Sequence, residues 1–492
     1  MSTAILYLLV VQGLLGAADV LINHELREGL PARASARTEQ ALHGVRELLY
    51  AVVFAGLAWF EWRGIWAALF GGVLLIEVVL TAWDFVEEDR TRRLSATERV
   101  MHLVLSMGGG AYVALLVPIL LTWGQEANQL LRVDHGIASR LLSLLAIGVF
   151  AWGVRDLIAA LQTHRTPTTP PLDFGPEPRH VLITGATGFI GSRLVNSLLA
   201  AGHRVTVLAR QPLAASILFQ GQVRAVATLE EIGDAERLDA IINLAGAPVI
   251  GPRWTPSRKA TLLASRVVTT NAIGQLLRRL THAPEVLING SAIGYYGARG
   301  DEAISENGAP QNVFMSELCQ RWEAAAQTAS QGRCRLVIFR LGIVFGQGGA
   351  LPKLLLPFRL RSGGRMGNGQ QYMSWVHVED VLAAFALAMR DTRLLGIYNL
   401  TAPESVRQAE FADVCARRFV GGRSWFHLPA FAFRSLLGEA ATLFVEGQRV
   451  VPLKLLRHGF HFRYPTLVSA LDAQLGHRRS PLPVTTAHQK AH

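Results

Sequence analysis

Long apolar stretches fill the first third of the chain, and each is long enough, or nearly so, to cross a lipid bilayer. They are separated by short polar loops and lie at Thr3–Ile22, Leu48–Trp62, Ile65–Trp83, Leu103–Trp123 and Leu141–Leu161. The second stretch is short, and its helix is expected to start earlier, with Arg46 and Glu47 at the beginning of the apolar part. No basic segment precedes the first stretch and no small-residue cleavage site follows it, so we expect a retained helix. Residues 1–162 are predicted to form a transmembrane domain of about five helices.

The pattern changes after a segment rich in Pro and Thr, residues 163–178, which is predicted to be an extended linker. In residues 179–405, short apolar runs of strand character alternate with segments of helical period, which is typical of a doubly wound parallel sheet. Residues 406–477 are mostly helical and are predicted to form a small C-terminal domain that caps the sheet. Residues 478–492 are predicted to be a disordered tail. The fold class is therefore α/β behind an all-α membrane domain.

A glycine-rich turn joins the first apolar run of the α/β part to the helical segment that follows it. The turn reads Thr184-Gly185-Ala186-Thr187-Gly188-Phe189-Ile190-Gly191. Gly185 permits a tight turn, Gly188 allows a pyrophosphate to approach the backbone, and Gly191 allows the helix to pack on the sheet. The free N–H groups of a helix N-terminus favour phosphate. The segment predicts dinucleotide binding, the alternative being a tight turn that binds nothing.

The residue at the end of the second predicted strand distinguishes the two dinucleotides. An acidic side chain there would bind the ribose 2′-OH of NAD, whereas the residue in this chain is Arg210. A guanidinium suits a 2′-phosphate, so Arg210 favours NADP(H). The alternative is a solvated surface arginine.

Charge and cysteine content indicate the partners and the cellular compartment of the protein. The formal net charge is +11, from 48 Lys and Arg against 37 Asp and Glu, but the chain has no basic run with interleaved aromatic residues, so no nucleic-acid partner is predicted. Arginines are concentrated in the first and third loops between the apolar stretches, at Arg27, Arg33, Arg37, Arg90, Arg92, Arg93 and Arg99. This asymmetry predicts that these loops and the α/β part are cytoplasmic, in a multi-pass protein of the cell (inner) membrane. Scattered cysteines (Cys319, Cys334, Cys415) indicate a reducing compartment.

An internal repeat connects the apolar stretches in pairs. In each pair an aspartate ends one stretch and Glu-x-x-x-His opens the next, which places Asp19, Glu39 and His43 in the first copy and Asp84, Glu98 and His102 in the second. Residues i and i+4 share a helix face, so four acidic and two histidine side chains are expected to converge. Such a set suits a pair of metal ions between helices. Helix capping and ion pairing in a duplicated hairpin is the other interpretation.

Further strand ends of the α/β part carry candidate binding and catalytic groups. Leu244-Ala245-Gly246 follows one buried run, and Ser291, Tyr295 and Tyr296 follow another. Ligands gather at the carboxyl ends of parallel strands. The serine hydroxyl and the two phenols are therefore candidates to contact a substrate carbonyl or the nicotinamide ribose, with packing as the alternative for the tyrosines.

Several motifs together resemble the atypical extended short-chain dehydrogenases/reductases of the epimerase family, including sugar-nucleotide epimerase-like proteins. They are ITGATGFIG, INLAGAPV, Arg253-Trp254, Ser265-Arg266, GSAIGYYG, LCQRWE, FRLGIVFG, MSWVHVEDV and the tail VPLKLLRHGFHFRYPTL. The resemblance covers Val181–Leu475 and leaves out the membrane part. It implies an NAD(P)-binding Rossmann domain with a small C-terminal domain.

The resemblance also implies cofactor contacts, position by position. Gly185, Thr187, Gly188, Phe189 and Ile190 would line the pyrophosphate, and Arg210 would meet the 2′-phosphate. The other implied positions are Leu244, Ala245 and Gly246 along the adenosine and ribose, Arg253 near the phosphates, and Val344 near the nicotinamide.

One departure from the short-chain dehydrogenases concerns the Tyr-x-x-x-Lys pair that transfers a proton. Phe314 and Leu318 stand where that pair would fall. Three functional hypotheses follow. The first is a membrane-anchored NADP(H)-dependent oxidoreductase or epimerase-like isomerase that uses Ser291, Tyr295 or Tyr296. The second is a non-catalytic NADP(H)-binding sensor or scaffold, and the third is a membrane redox unit whose metal site receives electrons from the NADPH domain.

Overall fold

The computed structural model describes residues 3–28, 37–91, 94, 96–162, 172–419, 421–422, 424 and 426–475. The chain divides into two compact units between residues 168 and 169, inside the predicted linker. Residues 163–171 of that linker and the predicted tail lie outside the described residues. Each unit is described by itself.

The first unit is helical. Its helices are α1 (Thr3–Asp19), α2 (Arg37–Trp59), α3 (Ile65–Thr91), α4 (Ala96–Gly124) and α5 (Ile137–Gln162), and a π-helical segment, Val20–Glu28, extends α1. Within the described residues, five helical segments are long and apolar enough to cross a membrane. The second covers Thr38–Trp59, so it does start earlier than its apolar core. Strands β1 (Phe60–Arg63) and β2 (Gln129–Arg132) pair antiparallel. This ladder joins the α2–α3 and α4–α5 loops, which the predicted orientation places on one side of the membrane.

Outward-facing side chains of the helical unit are large and apolar. Leu75, Met107 and Ile147, for example, are 65%, 68% and 68% exposed. Conversely, carboxylates and histidines are among its buried residues. This distribution suits a hydrocarbon surrounding.

The second unit contains a parallel sheet of seven strands. The strands of this sheet are β3 (His180–Thr184), β4 (Arg204–Leu208), β5 (Arg224–Val226), β6 (Ala240–Asn243), β7 (Val286–Ala292), β9 (Arg335–Leu341) and β14 (Gly396–Leu400). Short strands outside the sheet lie between them in the chain: β8 (Ala303–Ile304), β10 (Ile343–Phe345), β11 (Gly364–Met366), β12 (Tyr372–Met373) and β13 (Trp375–His377). The sheet order is β14-β9-β7-β6-β3-β4-β5. The order reverses between β3 and β6, which is the switch point where such sheets bind ligands.

Helices cover both faces of this sheet. They are α6 (Phe189–Ala200), α7 (Pro212–Leu218), α8 (Pro256–Arg279), α9 (Phe314–Ser330) and α11 (Val378–Arg390). A further helix, α10 (Leu351–Arg359), packs through Phe358 against Phe411 of the C-terminal segment. The central strands carry apolar side chains on both faces because both faces are buried, so Leu182 packs in one cluster while Val181 and Ile183 pack in another. The predicted α/β, Rossmann-like class is confirmed.

The C-terminal segment forms β15 (Val406–Arg407), α12 (Gln408–Phe419), β16 (Phe426–Leu428), α13 (Ala430–Leu437), α14 (Thr442–Val445), β17 (Arg449–Val450), α15 (Leu453–Arg457) and α16 (Leu467–Leu475). Its strands pair with short strands from the preceding part of the unit: β15 with β12, β16 with β11 and β17 with β8. Through residue 474 this segment therefore belongs to the same compact unit as the sheet.

Candidate functional site

The turn between β3 and α6 requires glycine at two of its positions. Gly185 has a φ of +70°, and a β-carbon there would lie 2.5 Å from the Leu244 carbonyl oxygen at the end of β6. A β-carbon at Gly191 would lie 2.3 Å from the Gly185 carbonyl oxygen. Both contacts are too close for any side chain. The backbones of the turn, of α6 and of the β6 end are thus pressed together at the switch point.

The N-terminus of α6 opens at this turn. Gly188 is the N-cap, no side chain caps the helix, and Thr187 and Gly188 are exposed. Phe189 and Ile190, in the first turn of α6, are half-buried. The first-turn N–H groups and the positive end of the helix dipole suit an anion at this position.

A second glycine loop, which the sequence analysis did not single out, surrounds the Phe189 ring. β-Carbons at Gly346, Gly348 and Gly349 would lie 2.6, 2.6 and 2.8 Å from that ring. This loop directly follows β10, so it brings half-buried Val344 to the same side of the sheet as the α6 turn. The spacing Gly-x-Gly-Gly after a short strand was the available signal.

The predicted residues after β6 lie beside the same turn. A buried network supports them: the Thr184 hydroxyl donates to Asn243 Oδ1 (2.6 Å), and Asn243 Nδ2 donates to Asn289 Oδ1 (2.6 Å). Leu244 and Ala245 are half-buried and Gly246 is exposed. A β-carbon at Gly246 would lie 2.8 Å from the guanidinium carbon of Arg266. Burial lowers the pKa of the Arg266 side chain.

The two predicted phosphate-binding arginines differ in their surroundings. Arg210 lies two residues after the end of β4 and is exposed. Arg253 is also exposed, and its guanidinium donates to the Ser435 carbonyl oxygen on α13. The Arg253 loop is thereby tied to the C-terminal segment.

Ser291 and Tyr296, two of the predicted catalytic residues, are part of a buried polar network. Ser291 Oγ donates to Glu323 Oε1 (2.6 Å), and Arg340 binds both Glu323 oxygens (2.8 and 2.7 Å). The Tyr296 hydroxyl accepts from Arg340 Nη1 (2.9 Å) and donates to Asn399 Oδ1 (2.7 Å). Burial raises the pKa of Tyr296 to about 12, and the phenol is fully buried. Its geometry is that of a packed, hydrogen-bonded core residue.

Tyr295 has the more accessible position of the two tyrosines. It is half-buried, and the guanidinium carbon of Arg340 lies 3.3 Å from its ring centroid. Glu323 holds Arg340: burial lowers the pKa of the arginine, but the hydrogen bonds that the guanidinium donates to this carboxylate more than offset that effect and raise the pKa. The Glu323–Arg340 ion pair, which the sequence analysis quoted only within motifs, therefore orients both Ser291 and Tyr295.

The residues at the place of the absent Tyr/Lys pair are packed rather than reactive. Phe314 begins α9 and packs against Trp254 with ring centroids 5.3 Å apart, while Leu318 is 1% exposed. Lys259, on α8, lies over the Phe314 ring at 4.9 Å and bonds Glu439 (2.5 Å). The side chains at positions 314 and 318 carry no group able to transfer a proton.

In the helical unit, the side chains of the internal repeat converge as the sequence predicted. His102 Nε2 lies 3.2 Å from Asp19, and His43 Nε2 lies 3.4 Å from Asp84. Two further residues, His24 and Glu88, lie in the same cluster and were missed by the sequence analysis. Glu88 follows Asp84 at i+4, which was a usable signal.

Comparison with known proteins identifies the family of the α/β unit. Residues 181–401 match the NAD dependent epimerase/dehydratase family, and residues 428–474 match a domain of unknown function, DUF1731. The chain is 35% identical over 300 residues to the chloroplastic "Epimerase family protein SDR39U1 homolog" of Arabidopsis thaliana, covering 60% of this chain and 86% of that protein. It is 34% identical over 307 residues to the "Epimerase family protein YfhF" of Bacillus subtilis, covering 61% of this chain and 99% of that one.

A solved structure agrees with these matches. The crystal structure of human epimerase family protein SDR39U1 (isoform 2) with NADPH is 32% identical, with a TM-score of 0.55, and the match covers 60% of this chain and 99% of that chain. The relatives therefore correspond to about the same share of the chain as the α/β unit. The chain belongs to the NAD dependent epimerase/dehydratase family.

Proposed function

We propose that the α/β unit binds NADP(H) and that the protein is a membrane-anchored, cytoplasm-facing oxidoreductase or epimerase-like enzyme. The observation that carries the proposal is the glycine turn, which leaves the α6 N-terminus without a side-chain cap at the same edge of the sheet as exposed Arg210, since β3 and β4 are parallel neighbours. The human relative solved with NADPH supports the same cofactor. Gly185, Thr187, Gly188, Phe189, Ile190 and Gly191 would hold the pyrophosphate, and Arg210 the 2′-phosphate.

Bound NADP(H) would supply a hydride acceptor or donor for a substrate carbinol or carbonyl carbon. In this chain Leu244, Ala245 and Gly246 would line the adenosine and ribose, and Val344 would approach the nicotinamide. Tyr295 is the accessible phenol, and the Glu323–Arg340 pair beneath it holds its ring. Ser291 donates a hydrogen bond to Glu323, which leaves the serine oxygen to accept a hydrogen bond from a substrate hydroxyl.

Membrane anchoring rests on the helical unit. Five helical segments meet the length and hydropathy of a bilayer span, and their outer side chains are apolar. With the arginine-rich loops on the cytoplasmic side, the α/β unit lies where NADP(H) is abundant.

Arg210 gives the sharpest test of the cofactor. In the full-length protein in detergent, Arg210→Ala is expected to weaken NADPH binding about 10- to 100-fold and to leave NADH binding unchanged, because only the 2′-phosphate loses a charge-assisted partner. Titration calorimetry measures both. Arg237→Ala is the matched control, since Arg237 is also exposed but precedes β6, at the opposite edge of the sheet.

Equal loss of NADH and NADPH binding in Arg210→Ala would contradict the role of this guanidinium. A wild-type protein that prefers NADH, or binds neither dinucleotide, would overturn the proposal at its first step.

A second candidate function is a non-catalytic NADP(H)-binding sensor or scaffold. Phe314 and Leu318, in packed positions where the proton-transferring pair would stand, favour it. NADPH binding without oxidation across a panel of carbonyl compounds and nucleotide sugars would select this function over the enzyme.

A further inference from the structure

A cluster of carboxylates and histidines lies at one end of the helical unit, and four helical segments contribute to it. Its members share burial and ligating atoms; they are Asp19, His24, Glu39, His43, Asp84, Glu88, Glu98 and His102. Asp19, Glu39, Asp84, Glu88 and Glu98 are at most 5% exposed. We name these eight residues the histidine–carboxylate cluster.

Two sets of ligating atoms within this cluster are compact. The first is His24, Glu88, Glu98 and His102, the second is Glu39, His43 and Glu88, and in each set the atoms lie within 4.8 Å of one another. Glu88 belongs to both. Its Oε1 lies 3.5 Å from His43 Nε2 and its Oε2 lies 3.4 Å from His102 Nδ1. One carboxylate therefore presents one oxygen to each set, which is the geometry of a bridge between two ions.

The separations fit shared coordination better than direct hydrogen bonding. Ligands bound at about 2.1 Å to one ion lie about 3.0 Å apart in octahedral and about 3.4 Å apart in tetrahedral geometry, whereas hydrogen bonds are shorter and aligned. His24 Nε2 and Glu98 Oε1, in the first set, are 3.6 Å apart. Among the described residues, the buried atoms His43 Nε2, Asp84 Oδ1 and His102 Nδ1 have no hydrogen-bond partner.

Asp19 occupies a supporting position beside the first set, whereas Asp84 faces the same nitrogen of His43 as Glu88 does. The Nε2 atom of His102 lies 3.2 Å from Asp19 Oδ2, which leaves Nδ1 facing Glu88. A carboxylate on the far nitrogen of a ligating histidine fixes its tautomer and ring orientation. Asp84 Oδ2 lies 3.4 Å from His43 Nε2 and 2.5 Å from Arg46 Nη1.

The charge of the cluster also suits cations. The cluster holds the five buried carboxylates Asp19, Glu39, Asp84, Glu88 and Glu98, and Arg46 contacts Asp84. Buried carboxylates are stable when they are paired or when they coordinate a metal ion.

A cavity gives the cluster an entry path. It has a volume of about 800 Å³ and extends from Asp19, His24, His43 and His102 to small and aliphatic residues further along the helices. Because the walls of this cavity are largely apolar, a small molecule could reach the ions through it from within the helical unit.

We propose that the histidine–carboxylate cluster binds a pair of divalent transition-metal ions bridged by Glu88. Imidazole and carboxylate together suit Mn²⁺, Fe²⁺, Co²⁺ or Zn²⁺ rather than the all-oxygen sites of Mg²⁺ or Ca²⁺. The site does not depend on the function proposed for the α/β unit, and it supplies the metal that the redox-unit hypothesis requires.

The test uses the full-length protein in detergent, purified without a polyhistidine tag, stripped of metal and then loaded separately with each of these four ions. Elemental analysis is expected to give about two ions per chain for at least one metal. Electron paramagnetic resonance of the Mn²⁺-loaded protein is expected to show the spectrum of a spin-coupled pair.

Glu88→Gln is expected to lose at least one ion and the spin coupling. Asp156→Asn is the matched control, because Asp156 is a buried carboxylate of the same unit on α5, which contributes nothing to the cluster; it should retain both ions. Gel filtration shows that each variant is folded, and the Mn²⁺ spectrum of the wild type requires no variant. Fewer than two ions with every metal, or two ions retained in folded Glu88→Gln, would overturn the proposal.

Discussion

The two units bury polar groups in opposite ways. In the α/β unit, buried Glu323 and Arg340 form a two-point ion pair, and neighbouring Ser291, Tyr296 and Asn399 are hydrogen-bonded to them or to one another. In the helical unit, three buried atoms of the histidine–carboxylate cluster, His43 Nε2, Asp84 Oδ1 and His102 Nδ1, have no hydrogen-bond partner within the part of the chain that the structure describes.

This difference separates a structural polar network from a binding site. A network whose members satisfy one another stabilises one core arrangement and needs nothing further. Grouped carboxylates and histidines can instead be stabilised by a bound ligand or by protons. The predictions below test that contrast.

The largest effect is expected from breaking the satisfied network. Glu323→Ala leaves Arg340 buried without its partner, which should cost about 3–5 kcal/mol of stability in the α/β unit. Amide hydrogen exchange in β7 and β9 of the full-length protein measures this loss.

The control for this variant lies on the same helix. Arg321→Ala removes an exposed i,i+4 ion pair with Glu317 and should change exchange by at most about 0.5 kcal/mol. Similar losses of stability in the two variants would show that the buried ion pair contributes no more than the exposed one.

A smaller, pH-dependent effect is expected at Asp380, which accepts hydrogen bonds from the backbone N–H groups of Arg463 and Tyr464. Burial raises the pKa of Asp380 to about 6, so the folded protein holds a proton there that the unfolded chain releases near pH 4. The stability of the wild type should therefore fall, relative to Asp380→Asn, as pH rises from about 4 to about 6, by at most about 3 kcal/mol.

Urea denaturation of both proteins, followed by near-ultraviolet circular dichroism, measures this difference. Burial lowers the pKa of nearby His377 to about 4, an effect of opposite sign, but His377 is present in both proteins and cancels in the comparison. A stability difference that does not vary between pH 4 and 7 would contradict the prediction.

The smallest effect is expected in the helical unit, and it is a gain of stability rather than a loss. In metal-free protein, Glu88→Gln removes one of several crowded negative charges and should raise stability by on the order of 1 kcal/mol. Thermal unfolding of metal-stripped samples measures it. A metal-free variant less stable than the wild type would place Glu88 in a satisfied network, as in the α/β unit.

Local patterns predicted much of the fold. The apolar stretches gave the helices, and the alternation after residue 179 gave the parallel sheet, because the period of burial follows from secondary structure alone. Gly185 and Gly191 were identified because no other residue fits a turn in which backbones touch.

The residues that were missed depend on distant parts of the chain. His24 follows Asp19 through a π-helical segment, so the spacing of an α-helix does not place the two together. The Glu323–Arg340 pair joins α9 to β9, and the glycine loop at Gly346–Gly349 closes on Phe189 from far along the chain.

By itself, the sequence determined the two-part organisation, the glycine turn after the first strand of the α/β part, the position of Arg210 after the second strand, and the duplicated Glu-x-x-x-His. Each of these is written within a few tens of residues, where helix and strand geometry fix neighbours. Only the tertiary structure decided which polar groups satisfy one another, that Tyr296 is enclosed while Tyr295 stays accessible, and that Glu88 faces two histidines. Those outcomes depend on how separate elements pack, and packing is not encoded at any one position.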